Sequence, residues 1–347
     1  MKNNRLFYLL FAVLFIWLLI LSINSFSNRN LTEVNEIKEY NVSGFSTDLS
    51  KVYDQNKSSI VSVEQNDNIS TGFIYAKKDN LVYIVTSYHG VSSGSGLSVY
   101  FNNGVRAKAN VYKYDIFNDL ALVECDFDYD VKPIVLGNSS LIKTGEFVLG
   151  IGSAGSIEYG FSSQFGMISN SYREILNHIT YEGNRHDYYL GLIQLSGEFA
   201  QGYSGSPLFN MNGEVVGMIN MKDDEVVLAL PINEIKVVVE KMLNDEDYQK
   251  VQLGIKGRFV ADLEKYESTS LNIGVEIVKG YFVEETLNNS LAYKLGINKG
   301  DVILSINGVE INNVDDMRKA EYSLLDEYEI IINRNGEEIT FKGNLND

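Results

Sequence analysis

Residues Gln201–Asn210 read QGYSGSPLFN. A serine between two glycines, followed by Pro207 and an apolar pair, fits a tight turn and equally a nucleophile displayed beside a strand. A serine hydroxyl becomes a good nucleophile only when a base takes its proton, and the base works best when a carboxylate fixes its tautomer. The chain should then supply a histidine and an aspartate in matching settings, and it has only three histidines. His89 lies in IVTSYHGV, just after the apolar run Leu81–Thr86, and Asp119 lies in FNDLALVEC, just before another. His178 and His186 fall in the polar stretch NHITYEGNRHDYY, without such a context. Taken singly, these residues read as a Gly-Ser turn, a structural histidine and an aspartate cap. Their ordered conjunction, His89 then Asp119 then Ser204, each at a strand end, points to acyl transfer.

The surroundings support β structure. From about 50 to 230 the chain alternates short β-type runs with Gly, Asn, Asp and Ser, among them SIVSVEQ, LVYIVTS, EFVLGIG and EVVGMIN. Many short strands at such spacing predict a sandwich or barrel. NEIKVVVEKML follows, with Ile235, Val238, Val239, Met242 and Leu243 on one stripe, and predicts a closing helix. Residues 248–347 mix strands (LGIKGRFV, DVILSING, YEIIINRNGEEITFKG) with helices (NSLAYKLGI, DDMRKAEYSLL), which predicts a small α+β unit.

The motifs TSYHGV, NDLALV and GYSGSPLF resemble, in order, the T-N-x-H-V, D-L-A-V and G-N-S-G-G-P-L patterns of the HtrA (DegP-like) family of membrane-anchored, PDZ-containing, chymotrypsin-like serine proteases. The resemblance covers roughly 50–345. It implies a mainly β, double-barrel trypsin-like protease domain over 48–247 and a PDZ domain over 248–347. His89 would be the general base, Asp119 its orienting carboxylate and Ser204 the nucleophile. Backbone N–H groups of Gly202 and Ser204, with Tyr203 between them, would form the oxyanion hole. No metal or organic cofactor is implied. QLGIKG resembles the PDZ carboxylate-binding loop, with N–H groups at Leu253, Gly254 and Ile255. A bound peptide C-terminus would add a strand beside Ile255 and lean on the Asn313–Leu325 helix. The family further implies misfolded or damaged extracytoplasmic proteins as substrates, a role in protein quality control and stress response at the bacterial cell envelope, and a homotrimer.

Departures from the family pattern concentrate around the nucleophile. Gly90 replaces the usual Val and is expected to loosen packing behind the base. Tyr203 replaces Asn, and Ser206 replaces the second Gly, a GxSGSP variant also found in bacterial glutamyl endopeptidases. LSGEFAQG (Leu195–Gly202) stands in place of T-D-A-A-I-N-x-G. Within it Glu198 occupies the region where trypsin-like enzymes keep an acidic pocket floor, which would favour a basic P1 side chain. Its plain reading is an exposed loop acid. These departures motivate an alternative, a catalytically silent scaffold or sensor that binds peptides through its PDZ domain.

The remaining signals concern location. The formal net charge of −17 argues against nucleic-acid partners. A lone cysteine, Cys125, excludes an intramolecular disulfide framework. MKNNR precedes the uncharged run Leu6–Ile23, which as a helix spans roughly 27 Å, about the hydrocarbon thickness of a bilayer. A transmembrane signal anchor is expected over 6–24, following a cytoplasmic 1–5 and leading into a polar tether over 25–47. The flanking positive charges place the N-terminus in the cytoplasm and both domains outside, as a single-pass protein of the cell membrane. The rival is a cleaved signal peptide, but no small-x-small site follows the long apolar run.

Overall fold

The structure, a computed structural model, describes residues 44–181, 183–223, 226–246, 251, 253–263 and 277–345. The expected anchor at 6–24 and nearly all of the tether lie outside these residues. Among the described residues, no helix is long and apolar enough to cross a membrane.

A helix, α1 (Gly44–Asn56), leads into seven strands: β1 (Ile60–Gln65), β2 (Asn68–Lys78), β3 (Leu81–Ser87), β4 (Ser98–Phe101), β5 (Arg106–Lys108), β6 (Asn110–Asp115) and β7 (Leu120–Asp126). They form one antiparallel sheet in the order β5-β4-β1-β2-β3-β7-β6. The next six strands close into a barrel: β8 (Phe147–Gly152), β9 (Ser162–Tyr181), β10 (Asn184–Ser196), β11 (Pro207–Phe209), β12 (Val215–Asp223) and β13 (Val226–Pro231).

The apolar runs are continuous because the central strands are buried on both faces. Along β3, Val82 and Ile84 enter the interior of the first sheet with Val61, Val63, Ile74, Ala121 and Val123. Val85, with Leu120 and Leu122 of β7, turns the other way. These residues join a core shared with Leu149, Ile151, Phe209 and Met218 of the barrel. The expected closing helix is α2 (Ile232–Leu243), and its Ile232, Ile235, Val238, Val239 and Met242 are buried in that same core. Leu243 packs at its margin, half-buried.

The second unit is an antiparallel sheet of β14 (Ile255–Phe259), β15 (Tyr281–Thr286), β16 (Val302–Ile306), β17 (Val309–Glu310), β18 (Glu327–Arg334) and β19 (Glu337–Asn344), with β14 at one edge. Two helices accompany it, α3 (Leu291–Leu295) and α4 (Val314–Tyr322). The Asn313 side chain caps α4 by accepting from Asp315 N and Asp316 N. Leu253, Ile255, Val283, Ile303, Ile306, Ile311, Ala320, Leu324, Ile330 and Ile332 form its separate core.

Two polar clusters join this unit to the rest. In one, the Glu234 carboxylate of α2 accepts from Arg318 Nε at 2.8 Å and from Tyr322 Oη at 2.7 Å. Both charged side chains are only 7% exposed. Arg318 also pairs with Asp315, which accepts from Asn233 and Ser140. In the other, the hairpin of β9 and β10 reaches the edge strand β14. That hairpin contains the polar stretch around His178 and His186, to which the sequence assigns no element. Its outer half shows only a weak period, because Ile175 and Ile179 touch the core half-buried while most of their neighbours are exposed.

Removing one partner of a buried pair strands the other's charge, which typically costs about 3–5 kcal/mol. Arg318→Met, which takes the cation from both Glu234 and Asp315, is therefore expected to lower unfolding free energy by that order, with Glu234→Ala the smaller loss because Arg318 keeps Asp315. Chemical denaturation of the single variants and their double mutant checks this. Additive effects of the two substitutions would show that the pair does not act as a unit.

Candidate functional site

β3 ends in a 3₁₀ turn, Tyr88–Gly90, which carries His89 at the rim of the first sheet. Asp119 immediately precedes β7, the neighbour of β3. Its loop is shaped by the buried Asp115 carboxylate, which accepts from Phe117 N, Asn118 N and Asn118 Nδ2. The buried Asn220 of β12 donates to Asn118 C=O at 2.9 Å. Asp119 adopts a left-handed backbone (φ 48°), which aspartate tolerates better than most residues.

Its carboxylate grips His89 twice, accepting from the backbone N–H at Oδ1 (2.7 Å) and contacting Nδ1 at Oδ2 (2.6 Å). Tyr88 N–H completes the clasp by donating to Asp119 C=O at 3.0 Å. A carboxylate at Nδ1 places the imidazole proton there and leaves Nε2 as the acceptor. The same hydrogen bond, opposed by burial and aided by the charge of Asp119, raises the His89 pKa above 6.5. The imidazole remains about half exposed.

Ser204 belongs to the loop between β10 and β11, on the barrel. Thr71 of β2 donates its N–H to Ser204 C=O at 2.9 Å, and Thr86 Oγ donates to Thr71 C=O at 2.6 Å. A Cβ on Gly205 would lie 2.0 Å from Thr71 O, 2.7 Å from Thr86 Oγ and 3.0 Å from Ser87 N. The Ser204 loop thus runs against the strand end that bears His89. Among the described residues, Ser204 Oγ makes no hydrogen bond, and the N–H groups of Gly202 and Ser204 donate to no protein acceptor. Tyr203 N–H, by contrast, is turned to Ala200 C=O at 3.3 Å. Gly202 has φ 94°, and a Cβ on it would meet Ser153 O at 2.2 Å. Only glycine fits.

The unusual neighbours have structural explanations. Tyr203 is 1% exposed in the barrel core, its ring edge-on to Phe199. Burial raises its phenol pKa well above 10. Ser206 is fully buried and occupies the space that a Cβ on Gly152 would take, 2.1 Å from its Oγ. Contrary to the expectation from its size, Gly90 does not loosen the packing behind His89. A Cβ there would lie 2.7 Å from Ser70 Oγ, so the site is already full.

Glu198 is exposed, in line with its plain reading. From the same segment it is Phe199 that turns inward, 3% exposed, over the bare backbones of Gly150 and Gly166. Those two glycines are the signal that sequence reading missed.

In the second unit Leu253 and Ile255 are buried, and Gly254 has φ 72°. A cleft of about 720 Å³ lies where β14 and the start of α4 face barrel-side residues such as Ser139, Ile142 and Asn170, and Leu253, Gly254 and Ile255 do not line it. Tyr172 from the β9 strand lies within it, among Gly257, Phe259, Val314 and Arg318. A Cβ on Gly191 would collide with the Tyr172 ring at 2.3 Å, so glycine at 191 makes room for it. Glu174, two positions along, accepts from Gly257 N–H of β14 at 3.1 Å and from Tyr281 Oη. Burial pushes its carboxyl up to about 7. No group of three or more metal-ligating side chains occurs among the described residues.

This arrangement has counterparts among known proteins. Residues 70–218 match the trypsin-like peptidase domain, and residues 244–322 match the PDZ domain. The Do-like serine protease HtrA of Bacillus subtilis is 28% identical over 285 residues, covering 78% of this chain and 62% of that protein. The HtrA-like serine protease of Staphylococcus epidermidis is 27% identical over 348 residues, covering 91% of this chain and 59% of its own. The chain thus spans about 60% of the length of these curated relatives. Among solved structures, the HtrA-type protease AlgW with decapeptide superposes with a TM-score of 0.54 at 17% identity, over 84% of this chain and 96% of that one. The chain thus carries a trypsin-like peptidase domain followed by a PDZ domain, and through both it is similar to HtrA-type serine proteases.

Proposed function

We propose that the chain is a membrane-anchored serine endopeptidase that cleaves misfolded or damaged proteins outside the cytoplasm. The observation that carries this reading is the double grip of Asp119 on His89, next to a serine loop with two unspent N–H groups. In the proposed reaction His89 Nε2 takes the Ser204 proton as Oγ attacks the scissile carbonyl. The N–H groups of Gly202 and Ser204 receive the oxyanion. The imidazolium, stabilised by Asp119, then protonates the leaving amine, and water repeats the sequence on the acyl-enzyme. The anchor at 6–24, which rests on the uncharged run Leu6–Ile23, belongs to the same proposal, as do a trimeric assembly and a place in envelope quality control, which rest on the family resemblance. A silent, peptide-binding scaffold is the second reading, favoured by the altered segment before the nucleophile.

Fluorophosphonate labelling of the purified chain separates the two. Labelling abolished by Ser204→Ala is expected, whereas an unlabelled wild-type chain that still binds peptides supports the scaffold. The rate should rise with pH through the His89 pKa, because only neutral imidazole accepts the proton. Since that pKa is raised, the midpoint is expected above 6.5. Asp119→Asn should lower the rate by roughly 10⁴-fold, the loss typical of removing the orienting carboxylate. For specificity, a peptide panel varied at P1 tests Glu198. Equal cleavage after Leu and Lys, the outcome expected for an exposed acid, would remove it from the pocket.

A peptide entering the PDZ cleft competes with Tyr172 and Glu174 for the β14 edge. Docking of a neutral Glu174 is fully favourable below its ordinary value of 4.5 and weakens as pH rises through about 7. Binding of a C-terminal peptide should therefore strengthen between pH 5 and pH 8, and Glu174→Gln should flatten that dependence. Titration calorimetry at the two pH values provides the check.

A further inference from the structure

Thr71 lies on β2, away from the reacting groups, yet every hydrogen-bonding atom it has is used at the junction between the two β units. Its N–H donates to Ser204 C=O at 2.9 Å. Its hydroxyl donates to Gly202 C=O at 2.8 Å and accepts from Ser153 N–H at 2.8 Å. Its own carbonyl accepts from Thr86 Oγ at 2.6 Å. The direction of each bond is unambiguous, because a carbonyl only accepts and a backbone N–H only donates. Thr71 is fully buried, as is Thr86, so water cannot replace either partner.

These bonds bracket the reacting loop. The carbonyls of Gly202 and Ser204 stand on either side of Tyr203, whose side chain is locked in the barrel core. The fixed carbonyls belong to the 202–203 and 204–205 peptide planes, which bracket the 203–204 plane bearing the Ser204 N–H and anchor the Gly202 Cα that carries the other N–H. At the other end, Thr86 precedes His89 by one turn of chain on β3, and Gly72, next to Thr71, is its ladder partner. One side chain and its backbone therefore tie the base-bearing strand to the nucleophile loop. Reaction rates depend steeply on sub-ångström placement of such groups.

Resting on the protease reading above, we propose that Thr71 is a positioning residue for acyl transfer, holding the oxyanion-binding N–H groups and Ser204 in register with His89. It touches neither substrate nor the reacting atoms. Thr71→Ser keeps both hydroxyl bonds, while the nearly isosteric Thr71→Val keeps neither.

The test compares the wild type, both variants and Thr86→Val in the full chain. Fluorophosphonate labelling rate, kcat and KM for a peptide substrate, the pH midpoint and thermal unfolding are measured together. Rates are normalised to the folded fraction. Thr71→Val is expected to slow labelling and kcat by about 10–100-fold, below the 10²–10³ lost with a direct oxyanion donor. KM and the pH midpoint should stay within error, and Thr71→Ser should retain activity within about threefold. Should Thr71→Val fail to fold, Thr86→Val carries the same test through the Thr71 carbonyl, with a several-fold loss in kcat expected. Normal rates per folded molecule in these variants, or a Thr71→Ser enzyme as slow as Thr71→Val, would overturn the inference while leaving the protease reading intact. A wild-type chain that does not label overturns both.

Discussion

A Cβ on Gly205 would sit 2.0 Å from the Thr71 carbonyl oxygen, and one on Gly202 would sit 2.2 Å from that of Ser153. Backbone from neighbouring elements fills the space where the nucleophile loop would place side chains. This close approach is what lets residues from two separate β units meet. His89 and Asp119 belong to the first sheet and Ser204 to the barrel, so their geometry is only as good as the junction between the units. The doubly buried strands β3 and β7 supply its stiffness, since they present apolar side chains to both cores. A helix packed on the same core, α2, then makes the junction part of a larger buried mass. Close-packed interiors of this kind resist small displacements.

Much of this was legible in the amino-acid order, for identifiable reasons. His89, Asp119 and Ser204 sit at strand ends, and apolar runs flanked by turn residues advertise such positions. Glycines at 202, 205 and 254 mark backbone with positive φ, and Asn313 marks the start of α4. What escaped notice were relations between distant residues. Gly90 looked like slack because a missing side chain reads as a void, whereas Ser70 already takes the room. Phe199 carries no sign of burial in its own polar segment. Its burial depends on Gly150 and Gly166, strands away in sequence. The β9–β10 hairpin escaped because most of its distal residues are exposed, leaving only a weak period to detect.

The same hairpin explains how the second unit is held. Strand β14 is an edge, and unpaired edges invite partners. Here Glu174 satisfies Gly257 N–H, and Tyr172 lies between the strand and α4. From α4 itself, Arg318 and Tyr322 converge on Glu234. Both contacts are polar and partly or wholly buried. Such contacts add less stability than apolar burial of equal area, yet they tolerate few alternative registers because each misalignment strands a charge. A unit attached in this way has one well-defined seat rather than a general adhesion.

The fit between Gly152 and Ser206 has a consequence for which substitutions either position accepts. Ser206 Oγ stands where a side chain at 152 would begin, and the two positions are far apart in the chain. Neither residue can be judged alone. In a background with alanine at 152, serine at 206 would be an overpacking lesion, and in this one glycine at 206 would leave a hole. Position 152 is held to glycine from a second side as well, since a Cβ there would lie 2.7 Å from Thr71 Oγ. The loop motif that looks like a local variation is therefore one part of a three-residue fit that no local pattern contains.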